Sequence, residues 1–356
     1  METLREFYSG RRVFVTGHTG FKGAWLSQAL LLLGAEVTGF ALGPPTRPSL
    51  FGLLGLADAM HCVTGDVRGY DALRAAFDRA KPEVVLHLAA QPIVLEGYRD
   101  PRGTYGTNVM GTVNLLECVR QSDTVRSVVN VTTDKVYRDS GRACREGDVL
   151  DGFDPYSNSK SCSELVTGCY VNSFFKPPAG GGAGLPVSTM RAANAIGGGD
   201  FAADRIVPDC VRAAMEGRPL VLRNPDAVRP YQHVLEPLSA YLLLAARQAR
   251  EPALAGAYNI GPGAQGCVPT RELVRLFREA YGAPESVARQ NPNAPREAGF
   301  LALDCSKARD ALGWRPALTL ARAVAMTAQW TRAWLAGRDI REVTRGQIEG
   351  YWEAAG

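Results

Sequence analysis

Two short polar motifs contain residues that could transfer protons. Tyr156 and Lys160 are four positions apart, so a helix would place both side chains on one face, one turn apart. A positive charge beside a phenol favours the phenolate, which makes Tyr156 a candidate general base at neutral pH. Upstream, Thr133, Asp134 and Lys135 supply a hydroxyl, a carboxyl and an amine at consecutive positions. The alternative interpretation of Asp134 and Lys135 is a pair of solvated surface charges.

A glycine-rich loop near the start of the chain is typical of a phosphate-binding turn. Gly17, Gly20 and Gly23 follow a short β-rich run and precede an apolar helix. Glycine permits a tight turn and lets the backbone approach a pyrophosphate, while the helix N-terminus supplies N–H donors. A plain strand–helix turn is the alternative, but the position between strand and helix favours a dinucleotide site. A bound cationic nicotinamide would further favour the Tyr156 phenolate.

The sequence points to NAD as the cofactor and leaves NADP open. Dinucleotide sites often carry an acid roughly 20 residues after the glycine loop, which binds the ribose hydroxyls. The second predicted strand ends at residues 41–43 without an acid, and Glu36 lies at its other end. Arg47 could meet a 2′-phosphate, although a solvated loop arginine is the simpler interpretation. Asp66, just after the third predicted strand, is placed to reach an adenine edge.

Strands and helices alternate through the first half of the chain. Strands are predicted at 12–16, 36–41, 60–64, 84–88, 127–131 and 187–191, and helices at 25–33, 70–79, 110–121 and 157–173. This alternation predicts an α/β fold, a doubly wound parallel sheet whose ligands bind at the carboxyl ends of the strands. Shorter elements follow residue 196. We therefore expect a Rossmann domain over 1–190 and a smaller substrate lobe over 191–356, with some chain crossing between them.

Composition narrows the class of protein. The 356 residues are 46% hydrophobic, enough for a large core, and the net charge of +4 is scattered, which argues against nucleic-acid binding. The eight cysteines form no C-x-x-C pair or Cys/His cluster, so we expect reduced thiols and no metal site. The N-terminal residues do not resemble a signal peptide and residues 26–33 are too short to span a bilayer, so we expect a cytoplasmic protein.

Lysine is rare in this chain, and its positions are informative. Of 40 basic residues only six are lysines, and three of them lie within the motifs above: Lys22, Lys135 and Lys160. Most basic positions in this sequence are arginines, so these lysines are candidates for specific roles. A loop at 177–186, rich in glycine and proline, is expected to be a flexible surface segment.

Four motifs together resemble the extended short-chain dehydrogenase/reductases. They are Thr16-Gly17-x-x-Gly20-x-x-Gly23, Gly65-Asp66-Val67-Arg68, His87-Leu88-Ala89-Ala90-Gln91-Pro92 and Tyr156-x-x-x-Lys160. More narrowly, several stretches are similar to the CDP-glucose 4,6-dehydratase group: residues 17–23, 130–135, 154–156, 197–200, 204–209 and 229–234. The resemblance runs from about residue 10 to 320.

The resemblance implies an internal oxidation, elimination and reduction of a nucleotide sugar. Tyr156 would remove the proton of the sugar 4-hydroxyl while hydride leaves C4, and Thr133 would hydrogen-bond the 4-oxygen. Asp134 would protonate the hydroxyl that leaves C6. Lys135 stands where many sugar-nucleotide dehydratases carry a glutamate base. An elimination across C5 and C6 needs an acid and a base close to both carbons.

The resemblance also implies sets of binding residues. The cofactor set is Gly17, Thr19, Gly20, Phe21, Gly23, Asp66, Val67, Leu88, Ala89, Ala90, Asn108, Tyr156 and Lys160. The substrate set is Gln91, Asn194, Arg205, Arg229 and Arg296, with the arginines suited to phosphate. The helix from Met110 onward would build a homodimer interface.

Three departures from the family pattern touch the substrate side. Leu95 and Gly97 stand where the family has an arginine and a serine, residues 136–144 are shorter and lack a tryptophan, and Arg296 stands where histidine is usual. The alternative function is therefore a C4 epimerase or another oxidoreductase acting on a related nucleotide sugar or nucleotide-linked substrate. A silent dinucleotide-binding regulator is disfavoured, because Thr133, Tyr156 and Lys160 are intact.

Overall fold

The structure, a computed structural model, describes residues 2–176, 184–282, 286–288 and 299–355. Its strands are β1 (Arg12–Thr16), β2 (Glu36–Ala41), β3 (His61–Thr64), β4 (Val84–His87), β5 (Ser127–Val131), β6 (Val187–Ala192), β7 (Asn194–Ile196), β8 (Leu220–Leu222), β9 (Val228–His233), β10 (Ala257–Ile260), β11 (Cys267–Pro269) and β12 (Ser286–Ala288). Its α-helices are α1 (Glu2–Tyr8), α2 (Phe21–Leu32), α3 (Leu50–Leu53), α4 (Leu56–Ala59), α5 (Tyr70–Ala80), α6 (Val94–Arg99), α7 (Pro101–Tyr105), α8 (Gly111–Arg120), α9 (Pro155–Tyr170), α10 (Ile206–Met215), α11 (Leu235–Arg250), α12 (Thr270–Tyr281), α13 (Ser306–Leu312), α14 (Leu320–Leu335) and α15 (Ile340–Ala355).

The largest feature is a seven-stranded sheet in the order β10-β6-β5-β4-β1-β2-β3. Every neighbouring pair of strands in it is parallel. In β1, Val13 and Val15 face one hydrophobic core and Phe14 faces the other, as the two-residue period of a strand requires. Because both faces are covered, the strands are continuous apolar runs. The predicted doubly wound α/β fold is confirmed.

Helices cover both faces of this sheet. On one face α2, α11 and α15 contribute Trp25, Tyr241 and Trp352 to the core. On the opposite face α5 and α8 contribute Leu73 and Leu115. The strand order reverses between β1 and β4. In sheets of this kind ligands bind outside the carboxyl ends of the strands at that reversal.

A smaller set of elements follows the large sheet in the chain. Strand β9 pairs in parallel with β7 and antiparallel with β11, and β8 pairs with β12. Helices α10, α12 and α14 pack there through Val207, Leu273 and Val324. The chain then rejoins the first part, since β10 adds an edge strand to the large sheet and α11 packs on its core. Residues 191–356, expected to form the substrate lobe with some crossing, thus contribute to both parts.

Two helices begin earlier than predicted. Helix α2 starts at Phe21 rather than Trp25, because its first turn contains a glycine that weakens the helical pattern in the sequence. Helix α9 starts at Pro155 rather than Ser157. Asp154 caps it by accepting a hydrogen bond from the Ser157 N–H at 3.0 Å, and proline suits the first helical position.

Other expectations concern the rest of the chain. Within the described residues, no helix is both long and apolar enough to cross a membrane, and no group of acidic, histidine and cysteine side chains could hold a metal ion. All eight cysteines are free thiols. Most of the loop expected at 177–186 lies outside the described residues.

Candidate active site

A cavity of about 670 Å³ lies at the carboxyl edge of the large sheet and extends to the second set of elements. This volume suits a cofactor and substrate of small-molecule size. Most of the predicted site residues line it: Gly17, Thr19, Gly20, Phe21, Gly23, Asp66, Val67, Leu88, Ala89, Ala90, Thr133, Lys135, Tyr156, Lys160, Asn194, Arg205 and Arg229. The fold therefore places residues more than 200 positions apart in the sequence, such as Gly17 and Arg229, at one cavity.

Two predicted contact residues, Gln91 and Asn108, are not among the residues that line the cavity. The Gln91 side chain donates to Thr104 Oγ1 at 2.9 Å and accepts from the Ile93 N–H at 2.6 Å, so both polar ends are engaged. Asn108, in a π-turn before α8, accepts from the Gln91 N–H at 2.8 Å and donates to the Gln91 carbonyl at 3.0 Å. These hydrogen bonds hold the loop after β4, and a ligand contact of either residue stays a prediction. Arg296 lies outside the described residues.

The glycine loop leaves room for a phosphate at the start of α2. Gly17 adopts a positive φ of +77°, and a Cβ there would lie 2.7 Å from the Ala89 nitrogen. A Cβ on Gly23 would lie 2.1 Å from the Gly17 carbonyl oxygen, so neither position accepts a side chain. Among the described residues, no side chain caps the N-terminus of α2 at Gly20. Its first N–H groups are available to an anion, which fits a dinucleotide diphosphate.

At the far end of the cavity, where a nucleoside would lie, no acidic residue directly follows β2 to bind the ribose hydroxyls. Leu42 and Gly43 line the cavity after β2, and the Thr19 hydroxyl donates to the Leu42 carbonyl at 2.9 Å. Asp66 lines the same end and accepts from Arg68 Nε at 2.8 Å. This hydrogen bond lowers the pKa of the Asp66 carboxyl, which keeps it ionised.

Thr133, Asp134 and Lys135 form one hydrogen-bonded group directly after β5. Asp134 Oδ1 accepts from the Thr133 hydroxyl at 2.9 Å and from Lys135 Nζ at 3.0 Å. Lys135 Nζ also donates to Asn194 Oδ1 at 2.9 Å. Asp134 is 2% exposed and lies just behind the cavity wall, where its Oδ2 has no partner among the described residues. Asp134 is therefore a buried, paired side chain and not a solvated surface charge.

Tyr156 and Lys160 lie on one face of α9, but burial governs both groups in the ligand-free protein. Burial raises the pKa of Tyr156 to about 12, against the opposing effect of a hydrogen bond with Thr133. Lys160 Nζ donates to the Val131 carbonyl at 3.0 Å, and burial lowers its pKa to about 8. Desolvation is thus the largest effect on the Tyr156 pKa, and Lys160 is not among the groups that lower it. A cation entering next to Tyr156 would shift this balance towards the phenolate.

The opposite wall of the cavity carries arginines beside aspartates. Arg205 Nη1 pairs with Asp200 Oδ2 at 3.0 Å, and the buried Arg229 donates to the Val228 carbonyl at 3.0 Å. Lys22, from the glycine loop, also lines the cavity. Arginine and lysine side chains at a cavity can bind an anionic ligand.

The residues that depart from the family pattern lie at different distances from the cavity. Leu95 lines the cavity, where an arginine is usual in the family. Gly97 packs against Tyr156, since a Cβ at Gly97 would lie 3.1 Å from the Tyr156 nitrogen. The shortened segment 136–144 does not reach the cavity. Its Tyr137 is buried and donates to Asn259 Oδ1 at 2.6 Å, so this segment packs against the rest of the chain.

A buried ion pair beneath the site was not predicted from the sequence. Glu164 and Arg191 are 5% and 4% exposed and pair at 2.8 Å. Glu164 also accepts hydrogen bonds from Thr132 and Thr189. Glu164 follows Lys160 by four positions, so the helical spacing that identified the motif could have identified it too. The pair connects β5, β6 and α9, the three elements that position the reactive side chains.

Replacing Glu164 with glutamine should destabilise the protein by about 3 to 5 kcal/mol, because Arg191 would be left buried without its counter-charge. The free energy of unfolding in urea, measured at fixed protein concentration, checks this. Glu272→Gln is the matched control, since its pair with Arg275 at 2.7 Å is exposed. It should change stability far less. Equal losses in the two variants would contradict this role for the buried pair.

The comparisons with known proteins agree with this geometry. The family model of GDP-mannose 4,6 dehydratase matches residues 14–327. CDP-glucose 4,6-dehydratase of Salmonella typhimurium is 44% identical over 353 residues, covering 98% of this chain and 98% of that protein. UDP-glucose 4-epimerase of Mycolicibacterium smegmatis is 29% identical over 329 residues, covering 90% and 98%.

Solved structures show the same fold in dehydratases and epimerases. A dTDP-glucose 4,6-dehydratase from Streptomyces venezuelae, solved with NAD bound, has a TM-score of 0.77 and 27% identity and covers 92% of this chain and 98% of that one. A UDP-glucose 4-epimerase from Thermus thermophilus, also with NAD, has a TM-score of 0.77 and 26% identity and covers 90% and 99%. The fold alone does not separate these reactions. The chain belongs to the GDP-mannose 4,6 dehydratase family, within the extended short-chain dehydrogenase/reductases.

Proposed function

We infer that this protein is a sugar-nucleotide 4,6-dehydratase that converts CDP-glucose to CDP-4-keto-6-deoxyglucose. The observation that carries the inference is the Thr133-Asp134-Lys135 group near Tyr156. Lys135 lines the cavity, and Asp134 is hydrogen-bonded to it directly behind the wall, so an acid and a base are adjacent. The identity of 44% over 98% of both chains to a CDP-glucose 4,6-dehydratase supports the substrate. Arg205 and Arg229 supply the positive charge that a nucleoside diphosphate requires.

NAD fits the cavity as the bound cofactor. The uncapped start of α2 and the two glycines that exclude a Cβ, Gly17 and Gly23, suit its diphosphate. Two solved relatives above 25% identity hold NAD. The chemistry that NAD supplies when bound is reversible hydride transfer, from C4 of the sugar and later to C6. Asp66 and Val67 line the end of the cavity where the adenosine would lie.

The first step places a proton on Tyr156. Its phenolate takes the proton of the sugar 4-hydroxyl while the Thr133 hydroxyl holds the 4-oxygen. The pKa of Tyr156, raised to about 12 by burial, disfavours the phenolate until a cationic ligand enters. The residue is therefore activated by the oxidised cofactor.

The elimination uses Asp134 and Lys135. The Lys135 ammonium first passes a proton to the Asp134 carboxylate, to which it is hydrogen-bonded at 3.0 Å. The resulting amine takes the proton from C5, which the 4-ketone acidifies, and Asp134 gives its proton to the hydroxyl that leaves C6 as water. Thr133 donates to Asp134 Oδ1 at 2.9 Å and lies near Tyr156, whose pKa it lowers. The proton taken from the 4-hydroxyl therefore has a path to Asp134, so the loss of water needs no outside proton. Lys135 returns its proton to C5 when hydride reaches C6.

A C4 epimerase is the second candidate, because epimerases share the fold and the Tyr156–Lys160 pair. It has no need of an acid and a base at C5 and C6. The pairing of the buried Asp134 with the cavity residue Lys135 at 3.0 Å favours the dehydratase, because it holds an acid and a base together as an elimination requires.

Incubation with NAD and a panel of nucleotide sugars tests the assignment. We expect a 4-keto-6-deoxy product, detected by its absorbance in alkali, from CDP-glucose and not from the UDP, GDP or dTDP hexoses. Conversion of a different hexose nucleotide would correct the substrate. The formation of a C4 epimer, or of no product from any hexose nucleotide, would overturn the dehydratase.

We further propose that the protein is a cytoplasmic homodimer. Each subunit would consist of a Rossmann domain and a substrate-binding lobe, with the chain passing between the two more than once. Leu165 and Phe174, on and just after α9, are 60% and 54% exposed, and Met110, just before α8, is 51% exposed. Exposed apolar patches of this kind commonly mark protein interfaces. Sedimentation analysis would show a dimer, and a monomer would exclude this interface. The free thiols are usual for a reducing compartment.

A further inference from the structure

Lys22 is a cation of the cavity wall that the proposed mechanism does not use. It is the second residue of α2, within the glycine loop, and its side chain lines the cavity. Its ammonium interacts electrostatically with four charged side chains: Asp134, Lys135, Lys160 and Arg205. Asp134, Lys135 and Lys160 are proposed catalytic residues, and Arg205 lies on the substrate side of the cavity. Lys22 therefore lies where the cofactor and substrate parts of the cavity meet.

The hydrogen-bond donors of Lys22 are available, unlike those of the other cavity lysines. Lys135 Nζ donates to two side-chain oxygens, at 3.0 and 2.9 Å. Lys160 Nζ donates to a backbone carbonyl at 3.0 Å. Within the described part of the chain, no oxygen accepts a hydrogen bond from Lys22. An ammonium has three N–H donors, so Lys22 can donate hydrogen bonds to a ligand in this cavity.

The protein groups around Lys22 disfavour its charged form. Burial and the nearby Arg205 lower the pKa of Lys22 to about 7, and Lys135 and Lys160 act in the same direction. Asp134 opposes them, but its carboxylate already accepts from Lys135. A cation kept in this position is stabilised when an anion enters.

We propose that Lys22 binds a phosphate oxygen of the dinucleotide cofactor, extending the glycine loop with a side-chain anion contact. Two observations favour the cofactor over the nucleotide sugar. Lys22 belongs to the helix whose uncapped N–H groups suit the cofactor diphosphate, and Arg205 and Arg229 supply cations on the substrate wall. The proposal rests on NAD binding in the proposed function, and it assigns a residue that the hydride and elimination steps leave without a role.

Binding should then be linked to a proton. Anionic phosphate favours the charged form of Lys22, so its pKa rises when the cofactor binds. Below pH 7 Lys22 is already charged, and affinity is greatest there. Above pH 7 the free protein holds more of the neutral amine, so binding takes up a proton and affinity falls as pH rises. Lys160, with a pKa of about 8, also titrates in this range, so the contribution of Lys22 to proton uptake is measured as the difference between the wild type and the Lys22 variants.

Calorimetric titration of NAD into the protein, without nucleotide sugar, tests the proposal. Lys22→Met should weaken NAD binding by about 10- to 100-fold at low pH, the loss expected for one hydrogen bond to a charged group. The loss should be smaller above the Lys22 pKa of about 7, and proton uptake measured in buffers of different ionisation enthalpy should decrease. Lys22→Arg should keep the affinity and remove the pH dependence due to Lys22. Lys176→Met, at an exposed lysine outside the cavity, should bind NAD like the wild type.

The opposing results are distinct. Equal NAD affinity and proton uptake in Lys22→Met and wild type would overturn the proposal. Weaker binding of CDP with unchanged binding of NAD would also overturn it, because Lys22 would then serve the nucleotide sugar. Lys22-dependent binding of NAD by a protein that converts no hexose nucleotide would refute the proposed function and support the Lys22 contact. The two failures can thus be told apart.

Discussion

Replacing Tyr156 with phenylalanine is expected to lower kcat by about 10²- to 10⁴-fold, the range for loss of a positioned general base. Phenylalanine keeps the ring in its buried place but cannot take the proton of the 4-hydroxyl. KM for the nucleotide sugar should change little, since Asn194, Arg205 and Arg229 are untouched. In a single turnover with NAD, the absorbance of the reduced cofactor should fail to appear.

Tyr241→Phe is the matched control for this variant. Tyr241 is fully buried, and its hydroxyl has no partner among the described residues, so the same change removes no hydrogen bond. Its turnover should equal that of the wild type. A Tyr156→Phe enzyme that reduces the cofactor at the normal rate would remove Tyr156 from the mechanism.

Replacing Asp134 with asparagine should separate the oxidation from the elimination. Asparagine keeps the shape of the side chain but cannot protonate the hydroxyl that leaves C6, so product formation should fall by about 10²- to 10⁴-fold. The first hydride transfer uses Tyr156 and should persist. A single turnover with CDP-glucose should therefore accumulate the reduced cofactor and the 4-keto sugar without loss of water.

Asp151→Asn supplies the comparison for Asp134. Asp151 lies close in sequence but its carboxylate is exposed and pairs with Arg138 at 3.0 Å. Its activity should be unchanged. Full dehydratase turnover by Asp134→Asn would refute the assignment of the acid, and epimerase activity that survives in this variant would favour the second candidate function.

Much of the fold was predictable because buried parallel strands are continuous apolar runs. Strands β1 and β2 occupy the predicted residues 12–16 and 36–41, and the glycine loop lies between β1 and α2 as expected. The alternation of strand and helix then fixes the sheet edge at which ligands bind. Hence residues from the first and second halves of the chain, such as Tyr156 and Arg229, could be assigned to one site.

Side-chain orientation within loops was not predictable in the same way. Gln91 belongs to a recognised motif, but its side chain is engaged by Thr104 and the Ile93 N–H, which a sequence pattern does not reveal. Asn108 likewise supports the Gln91 backbone instead of lining the cavity. Such positions depend on tertiary hydrogen bonds between elements, whereas periodicity reports only which face of an element is buried.

The ionisation states of the reactive groups could not be predicted from the sequence either. A lysine one turn from Tyr156 suggested a favoured phenolate, but Lys160 bonds to the Val131 carbonyl and burial raises the pKa of Tyr156. The pairing of Glu164 with Arg191 spans 27 positions and becomes apparent only when β6 lies beside α9. Desolvation depends on three-dimensional packing, so motif spacing identifies the reactive groups but not their ionisation.

The most direct test of the proposed reaction follows the hydrogen at C4 of the sugar. CDP-glucose carrying deuterium at C4 should be incubated with the protein and NAD, and the product examined by NMR and mass spectrometry. An internal oxidation, elimination and reduction predicts CDP-4-keto-6-deoxyglucose with that deuterium in its C6 methyl group. Deuterium retained at C4 of an epimerised sugar, or a 4-keto-6-deoxy product without deuterium at C6, would contradict the account.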